Sequence, residues 1–158
     1  HAYVRRQRQM CIRDSLRREE DRIALVQGLK DELIDVIVSD HKPEDEESKR
    51  LTFSQAATGA SGIETLLSLS LELYHNDSLK LETIIKALTS NPAKILKINK
   101  GNLSIGNDAD FCIVDINKPW IVKKEKLISK SKNTSIEDKK LQGKVINTFV
   151  KGKELFKL

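Results

Sequence analysis

Aromatic residues make up only 4% of this 158-residue chain, and cysteine is limited to Cys11 and Cys112. So few rings leave no basic stripe interleaved with stacking platforms, which excludes the usual nucleic-acid surface. Cys11 lies in the N-terminal segment set aside below, which leaves Cys112 alone in an apolar run, so no disulfide framework and no cysteine-based zinc site is expected. Long hydrophobic runs are also missing: none approaches the ~20 residues of a membrane-spanning helix. The expected setting is the cytoplasm, with no membrane partner and no nucleic acid.

The chain does have a basic head, and that head distorts the composition. Residues 1–15, His1-Ala-Tyr-Val-Arg-Arg-Gln-Arg-Gln-Met-Cys-Ile-Arg-Asp-Ser15, show no period, no caps and no apolar face. Arg5 to Ser15 resembles the in-frame translation of a transposase-type sequencing adapter, so residues 1–15 are expected to be a scar and are set aside from fold reasoning. The segment holds four Arg and one Asp, and without it the net charge falls from +5 to +2. The remaining lysines alternate with acids, as on a solvated surface.

Asp40 is the most informative position. The β-branched stretch over residues 34–39 runs into Asp40-His41-Lys42-Pro43. Such a run reads as a buried parallel strand, whose C-terminal end is where α/β barrels carry their chemistry. Asp40 is then a metal ligand or a general base; the alternative is an aspartate that only caps a turn. His41 reads either as a group behind such a site or as a hydrogen-bonded structural histidine. The acidic run Glu44–Glu47 reads as a solvated face rather than a ligand set, and His75, beside Asn76-Asp77, as a solvated side chain. Trp120 is expected to pack within a β segment.

Around the 34–39 run the spacing is helical. Residues 17–30 place apolar side chains at 23, 25, 26 and 29 behind an acidic first turn. A second helix is predicted from Ser61-Gly62 to Tyr74, and a third from Leu81 to Leu88. A short fourth follows, with Asn91 as N-cap and Pro92 at the first helical position. Residues 40–60 read as a polar loop. After Lys100, glycines punctuate β-branched runs at 110–115, 120–122, 144–150 and 154–156, a strand-and-turn texture. A strand–helix layer with one strand is not a fold, and a (β/α)₈ barrel takes about 250 residues. The chain is therefore expected to be a C-terminal piece cut within a domain.

The order Ser39-Asp40-His41, Pro43, Phe53, Gly59, Gly62-Ile63-Glu64-Thr65, Ser90-Asn91-Pro92-Ala93, Asp108-Ala109-Asp110, Ser131-Lys132-Asn133-Thr134 and Gly143-Lys144-Val145 resembles the C-terminal third of the type I dihydroorotases, cyclic amidohydrolases of the amidohydrolase superfamily. The resemblance runs from Leu16 to the C-terminus. It implies an α/β fold: residues 16–98 as the C-terminal part of a (β/α)₈ TIM-type barrel, its last strand and helices, and residues 99–158 as strands of a small β-sandwich. It also implies reversible hydrolysis of L-dihydroorotate to N-carbamoyl-L-aspartate, a step of pyrimidine biosynthesis, at a site holding one or two zinc ions. Asp40 would be both metal ligand and proton shuttle, since zinc lowers the pKa of bound water to about 7 and a neighbouring carboxylate can take its proton. Thr58 and Gly59 match the loop whose main chain meets the pyrimidine ring, and glycine allows such a close approach.

The chain also departs from the family pattern. The common family run is Asp-His-Ala-Pro-His, whose last histidine helps hold the substrate carboxylate; here Lys42 and Glu44 occupy the run, and Glu44 stands in that substrate-binding position. The His-x-His pair, the bridging lysine and two further histidine ligands of the family have no counterpart in the chain, so it is expected to be inactive by itself. Two alternatives stand beside a dihydroorotase. One is an allantoinase- or hydantoinase-like enzyme, which the Ser131–Thr134 and Gly62–Thr65 runs disfavour. The other is a non-catalytic dihydroorotase-like scaffold subunit of aspartate carbamoyltransferase, which Glu44 favours and Asp40 disfavours. Expected partners are the small-molecule substrate, aspartate carbamoyltransferase, and a second copy in a homodimer.

Overall fold

A computed structural model describes residues 18–52 and 55–158, and of Glu46 the backbone alone. The proposed scar at residues 1–15, and Phe53, lie outside the described residues. Two compact units divide the chain. Of the described residues, one holds 24–38, 67–120 and 141–158; the other holds 18–23, 39–52, 55–66 and 121–140.

The first unit is built on helices. α1 (Glu19–Lys30) opens with Glu19, Glu20 and Asp21, acids placed at the positive end of the helix dipole. Of its four predicted apolar positions, Val26 and Leu29 join the core, whereas Ile23 and Leu25 stay more than half exposed. α3 (Leu66–His75) starts later than the spacing predicts, because Gly62 to Thr65 form a turn in which the N–H groups of Thr65 and Leu66 both donate to Gly62 O. α4 (Leu81–Leu88) has the predicted bounds, and its Ile84 and Ala87 meet Leu29 and Leu79 in the centre of the apolar core. α5 (Ser90–Ile95) corrects one expectation: Thr89 is its N-cap, and Asn91 lies inside the helix with its amide donating to Asp35 O at 2.9 Å. Pro92 still costs no hydrogen bond, because the N–H groups of a first turn have no partner within the helix.

The stretch 34–39 is not the predicted buried strand. It is extended but carries no ladder: Ile37 N–H donates to Ala87 O at 3.1 Å, and Val38 is 71% exposed. A strand exists through its neighbours, and among the described residues none lies alongside. Ile34 and Ile37 turn instead onto the helical core.

The β texture condenses into one three-stranded sheet in the order β1-β2-β3. β1 (Phe111–Ile121) fuses the two predicted runs at 110–115 and 120–122, and Pro119 is tolerated because β1 is an edge strand. β2 (Lys140–Val150) and β3 (Lys153–Lys157) form an antiparallel hairpin closed by Lys151 and Gly152, both at positive φ, as a type I′ turn requires. Gly143, at φ +96°, admits Leu71: a Cβ there would stand 2.3 Å from the leucine Cδ1. Beside it, Ser68 Oγ donates to Gly143 O at 2.6 Å and accepts the Trp120 indole N–H at 3.1 Å. Trp120 thus lies in the sheet, as predicted, while spending its polar edge on α3. His75 corrects another expectation. It is half-buried rather than solvated, with Nε2 3.0 Å from Ile116 O.

The second unit contains the short helix α2 (Glu46–Lys49), which the polar-loop reading of 40–60 did not anticipate. Asp45 caps it, accepting from Ser48 N at 2.7 Å. The buried side chains of this unit include Lys49, Ser61, Thr65, Asn133 and Thr134 alongside the apolar Ala56, Val122 and Leu127. A core so polar persists only when its groups are hydrogen-bonded, and among the described residues no buried side-chain donor or acceptor is left unpaired. Among the described residues no helix is long and apolar enough to cross a membrane.

Candidate active site

Asp40 ends the extended stretch in the left-handed region, at φ 42°, a conformation aspartate accepts more readily than most residues. Its carboxylate is exposed and makes no hydrogen bond or ion pair among the described residues. His41, half-buried, accepts at Nδ1 from Gly62 N at 3.1 Å and Ile63 N at 3.3 Å. With both amides on Nδ1, Nε2 is the protonated nitrogen of the neutral ring. Lys42 and Glu44 face each other across 3.7 Å, Glu44 half-buried and Lys42 exposed.

Thr58 and Gly59 are brought against this segment. A single parallel bridge pairs His41 with Ala60, and Lys42 N–H donates to Ala60 O at 3.1 Å. Gly59 is buried at φ +122°; a Cβ on it would stand 2.6 Å from Lys42 O. No side chain fits there. The main-chain N–H groups of Thr58 and Gly59 find no acceptor among the described residues.

Four groups that the composition alone did not single out hold this arrangement. The Lys49 ammonium donates to Ala57 O at 2.6 Å and Gly59 O at 2.5 Å. The Asn133 amide donates to the same Gly59 O at 2.9 Å, while its main-chain carbonyl accepts from Ser61 N at 2.7 Å. The Glu64 carboxylate receives Ile128 N–H and Ser129 N–H at 2.9–3.0 Å. Ser131 Oγ completes the ring by donating to Glu44 O at 2.5 Å. Glu64, Ser131 and Asn133 belong to runs already quoted for the family resemblance. Lys49 had no sequence signal, since a lysine behind Glu-Glu-Ser reads as solvated.

Among the described residues no group of three or more His, Cys, Asp or Glu side chains converges on one point. Asp40 supplies a single carboxylate, and Nδ1 of His41 is taken by two amides. One carboxylate is not a zinc site, so these residues alone do not fit the group the resemblance implies.

The family model described as the amidohydrolase family matches residues 2–155. The chain is 42% identical over 145 residues to the dihydroorotase of Ehrlichia canis (strain Jake), covering 92% of this chain and 32% of that protein. It is 44% identical over 141 residues to the dihydroorotase of a Wolbachia species (strain wRi), covering 89% of this chain and 32% of that protein. Among solved structures, the L-hydantoinase (dihydropyrimidinase) from Arthrobacter aurescens superposes with a TM-score of 0.87 at 29% identity, covering 98% of this chain and 36% of that one. The chain therefore spans about a third of the length of the relatives it matches.

Proposed function

The chain belongs to the amidohydrolase family, and from that premise we propose that it is the C-terminal third of a dihydroorotase, acting in reversible hydrolysis of L-dihydroorotate to N-carbamoyl-L-aspartate. The observation that carries this reading is the identity of 42–44% with proteins named dihydroorotase, against 29% with the hydantoinase. In the whole protein the 34–39 stretch would gain strand neighbours as the last strand of a TIM-type barrel, and the sheet would contribute to a small β-sandwich. That placement gives Val38 a reason to be apolar.

Ring hydrolysis adds water across an amide bond. The attacking oxygen sheds a proton as the C–O bond forms, and the ring nitrogen gains one as the C–N bond breaks. Asp40 suits both transfers, because its carboxylate is unengaged and ends the extended stretch. The N–H pair of Thr58 and Gly59 suits a planar ring carbonyl. Zinc would need ligands from outside these residues, with Asp40 as one of several; by itself the chain would neither hold zinc tightly nor turn over dihydroorotate. A cytoplasmic enzyme of pyrimidine biosynthesis is the corresponding setting.

A second reading rests on Glu44, which puts an anion, already facing Lys42, where a donor for the substrate carboxylate is expected. It makes the whole protein a scaffold for aspartate carbamoyltransferase. Sequencing the source DNA upstream of Leu16 and assaying the longer product separates the two. A His-x-His pair and turnover of dihydroorotate in preference to hydantoin are expected. Absence of the pair, with no turnover, would favour the scaffold, and preference for hydantoin would sink both.

A further inference from the structure

Lys49 is 4% exposed, and its ammonium donates to two main-chain carbonyls of one loop, Ala57 O and Gly59 O. Burying an ammonium is costly unless its donors are satisfied. A lysine used in this way needs a reason beyond packing. In a trans peptide the C=O and N–H are antiparallel. Ala57 C=O and Thr58 N–H share one peptide group, so turning the carbonyl onto Lys49 turns the Thr58 N–H to the opposite side, where it meets no acceptor among the described residues. The charge on Lys49 also polarises that peptide, and hydrogen bonds in a chain strengthen one another in a low-dielectric interior. Asn133 holds the second of these carbonyls, Gly59 O, from another direction.

We propose that Lys49 is a positioning residue for the substrate. Through the Ala57–Thr58 peptide it aims and strengthens one main-chain donor, Thr58 N–H, for a carbonyl of a planar cyclic amide. The inference rests on the reading of Thr58-Gly59 as the substrate-facing loop. Its place on α2, four residues after the Asp45 cap, sets the reach of the ammonium.

Two experiments test it. In the longer enzyme, K49M should raise the KM for dihydroorotate about tenfold or more while kcat changes less than threefold. K49C should behave like K49M, and alkylation with 2-bromoethylamine, which rebuilds an ammonium at nearly the same reach, should restore KM; the parent, treated identically, corrects for other cysteines. A KM within twofold of the parent in K49M, or no recovery on alkylation of K49C, would overturn the proposal. If the parent hydrolyses hydantoin but not dihydroorotate, the substrate reading fails and the same series on hydantoin decides Lys49. On this chain as it stands, amide exchange gives a readout independent of turnover. In K49M, the Ala57 and Ser61 amides, which donate to Ser48 O and Asn133 O, should exchange at least tenfold faster while the Leu71 amide is unchanged. Unchanged exchange at Ala57 and Ser61 would equally overturn it.

Discussion

Lys42 Nζ lies 3.7 Å from Glu44 Oε1, so the cation and the anion that follow Asp40 compensate each other. With Lys42 exposed the pair is worth little to the fold; such surface pairs typically contribute about 0.2–1 kcal/mol. Its consequence is for charge. While Glu44 faces Lys42, the lysine is not wholly available to a substrate carboxylate. Glu44→His removes the anion and adds a donor. The expected result in the longer enzyme is a several-fold lower KM for N-carbamoyl-L-aspartate, an effect weakened by salt, with the melting temperature almost unchanged. Steady-state kinetics at two ionic strengths check it, and a raised KM would mean Glu44 does not stand near the carboxylate.

Asp40→Asn separates chemistry from folding. Asparagine tolerates positive φ as aspartate does, and Asp40 is exposed without a hydrogen bond among the described residues. Stability should therefore move by less than about 0.5 kcal/mol. Loss of a general acid–base group typically costs about 10²–10⁴-fold in rate. Both directions of the reaction should fall by that factor. Near-normal turnover with Asn at 40 would remove Asp40 from the mechanism and advance the scaffold reading.

Gly59→Ala should damage the site from two sides. The new Cβ would meet Lys42 O at 2.6 Å, and φ +122° is a conformation that costs a non-glycine residue on the order of 1–3 kcal/mol. The loop must shift to relieve both, and the N–H pair shifts with it. Loss of activity together with a lowered melting temperature is expected; an active, equally stable Gly59→Ala protein would show that the close approach to Lys42 is dispensable.

How much of this was legible depends on which physics decides each part. α4 kept its predicted bounds because Ile84 and Ala87 lie on one helical face and need only that face covered. The 34–39 stretch did not become a strand because a ladder is a property of neighbours, which no local pattern supplies. β1 ran through Pro119 because an edge position, unknowable from the run itself, removes the penalty. Asp40 is proposed from its type and its place after the 34–39 stretch, and Thr58 and Gly59 from the family resemblance alone. Lys49 could not be picked out, since only the tertiary approach of two carbonyls turns a lysine in a charged run into a buried clamp.

Ile84 and Ile85 offer a test of the helical core within one turn. Ile84 is fully buried among Leu29, Leu79 and Ala87, while Ile85 is 40% exposed. Truncating a fully buried isoleucine to alanine typically costs about 2–5 kcal/mol through lost transfer energy and a residual cavity. Ile85→Ala should cost much less. Denaturant melts of the two variants check the order, and equal losses would contradict the assigned face of α4.

The acid limb of stability should carry the signature of Asp45. Its hydrogen bond from Ser48 N–H, the N-cap of α2, holds the carboxyl below the usual aspartate range. A group whose pKa is lowered by folding stabilises the fold above its unfolded value, near 3.9, and loses that contribution as pH falls through the lowered one. Because Lys49 closes the same four-residue helix, uncapping at low pH should also loosen its hold on Ala57 and Gly59. Asn also caps helices but does not titrate. The melting temperature of Asp45→Asn should therefore fall less steeply than that of the parent between pH 5 and pH 2, with the two nearly equal at neutral pH. Asp110, lowered by its hydrogen bonds from Lys100 and Lys151 N, provides a comparison, since Asp110→Asn should flatten the same limb without changing amide exchange at Ala57 and Ser61. Parallel pH profiles for parent and Asp45→Asn would show that the cap does not couple to folding.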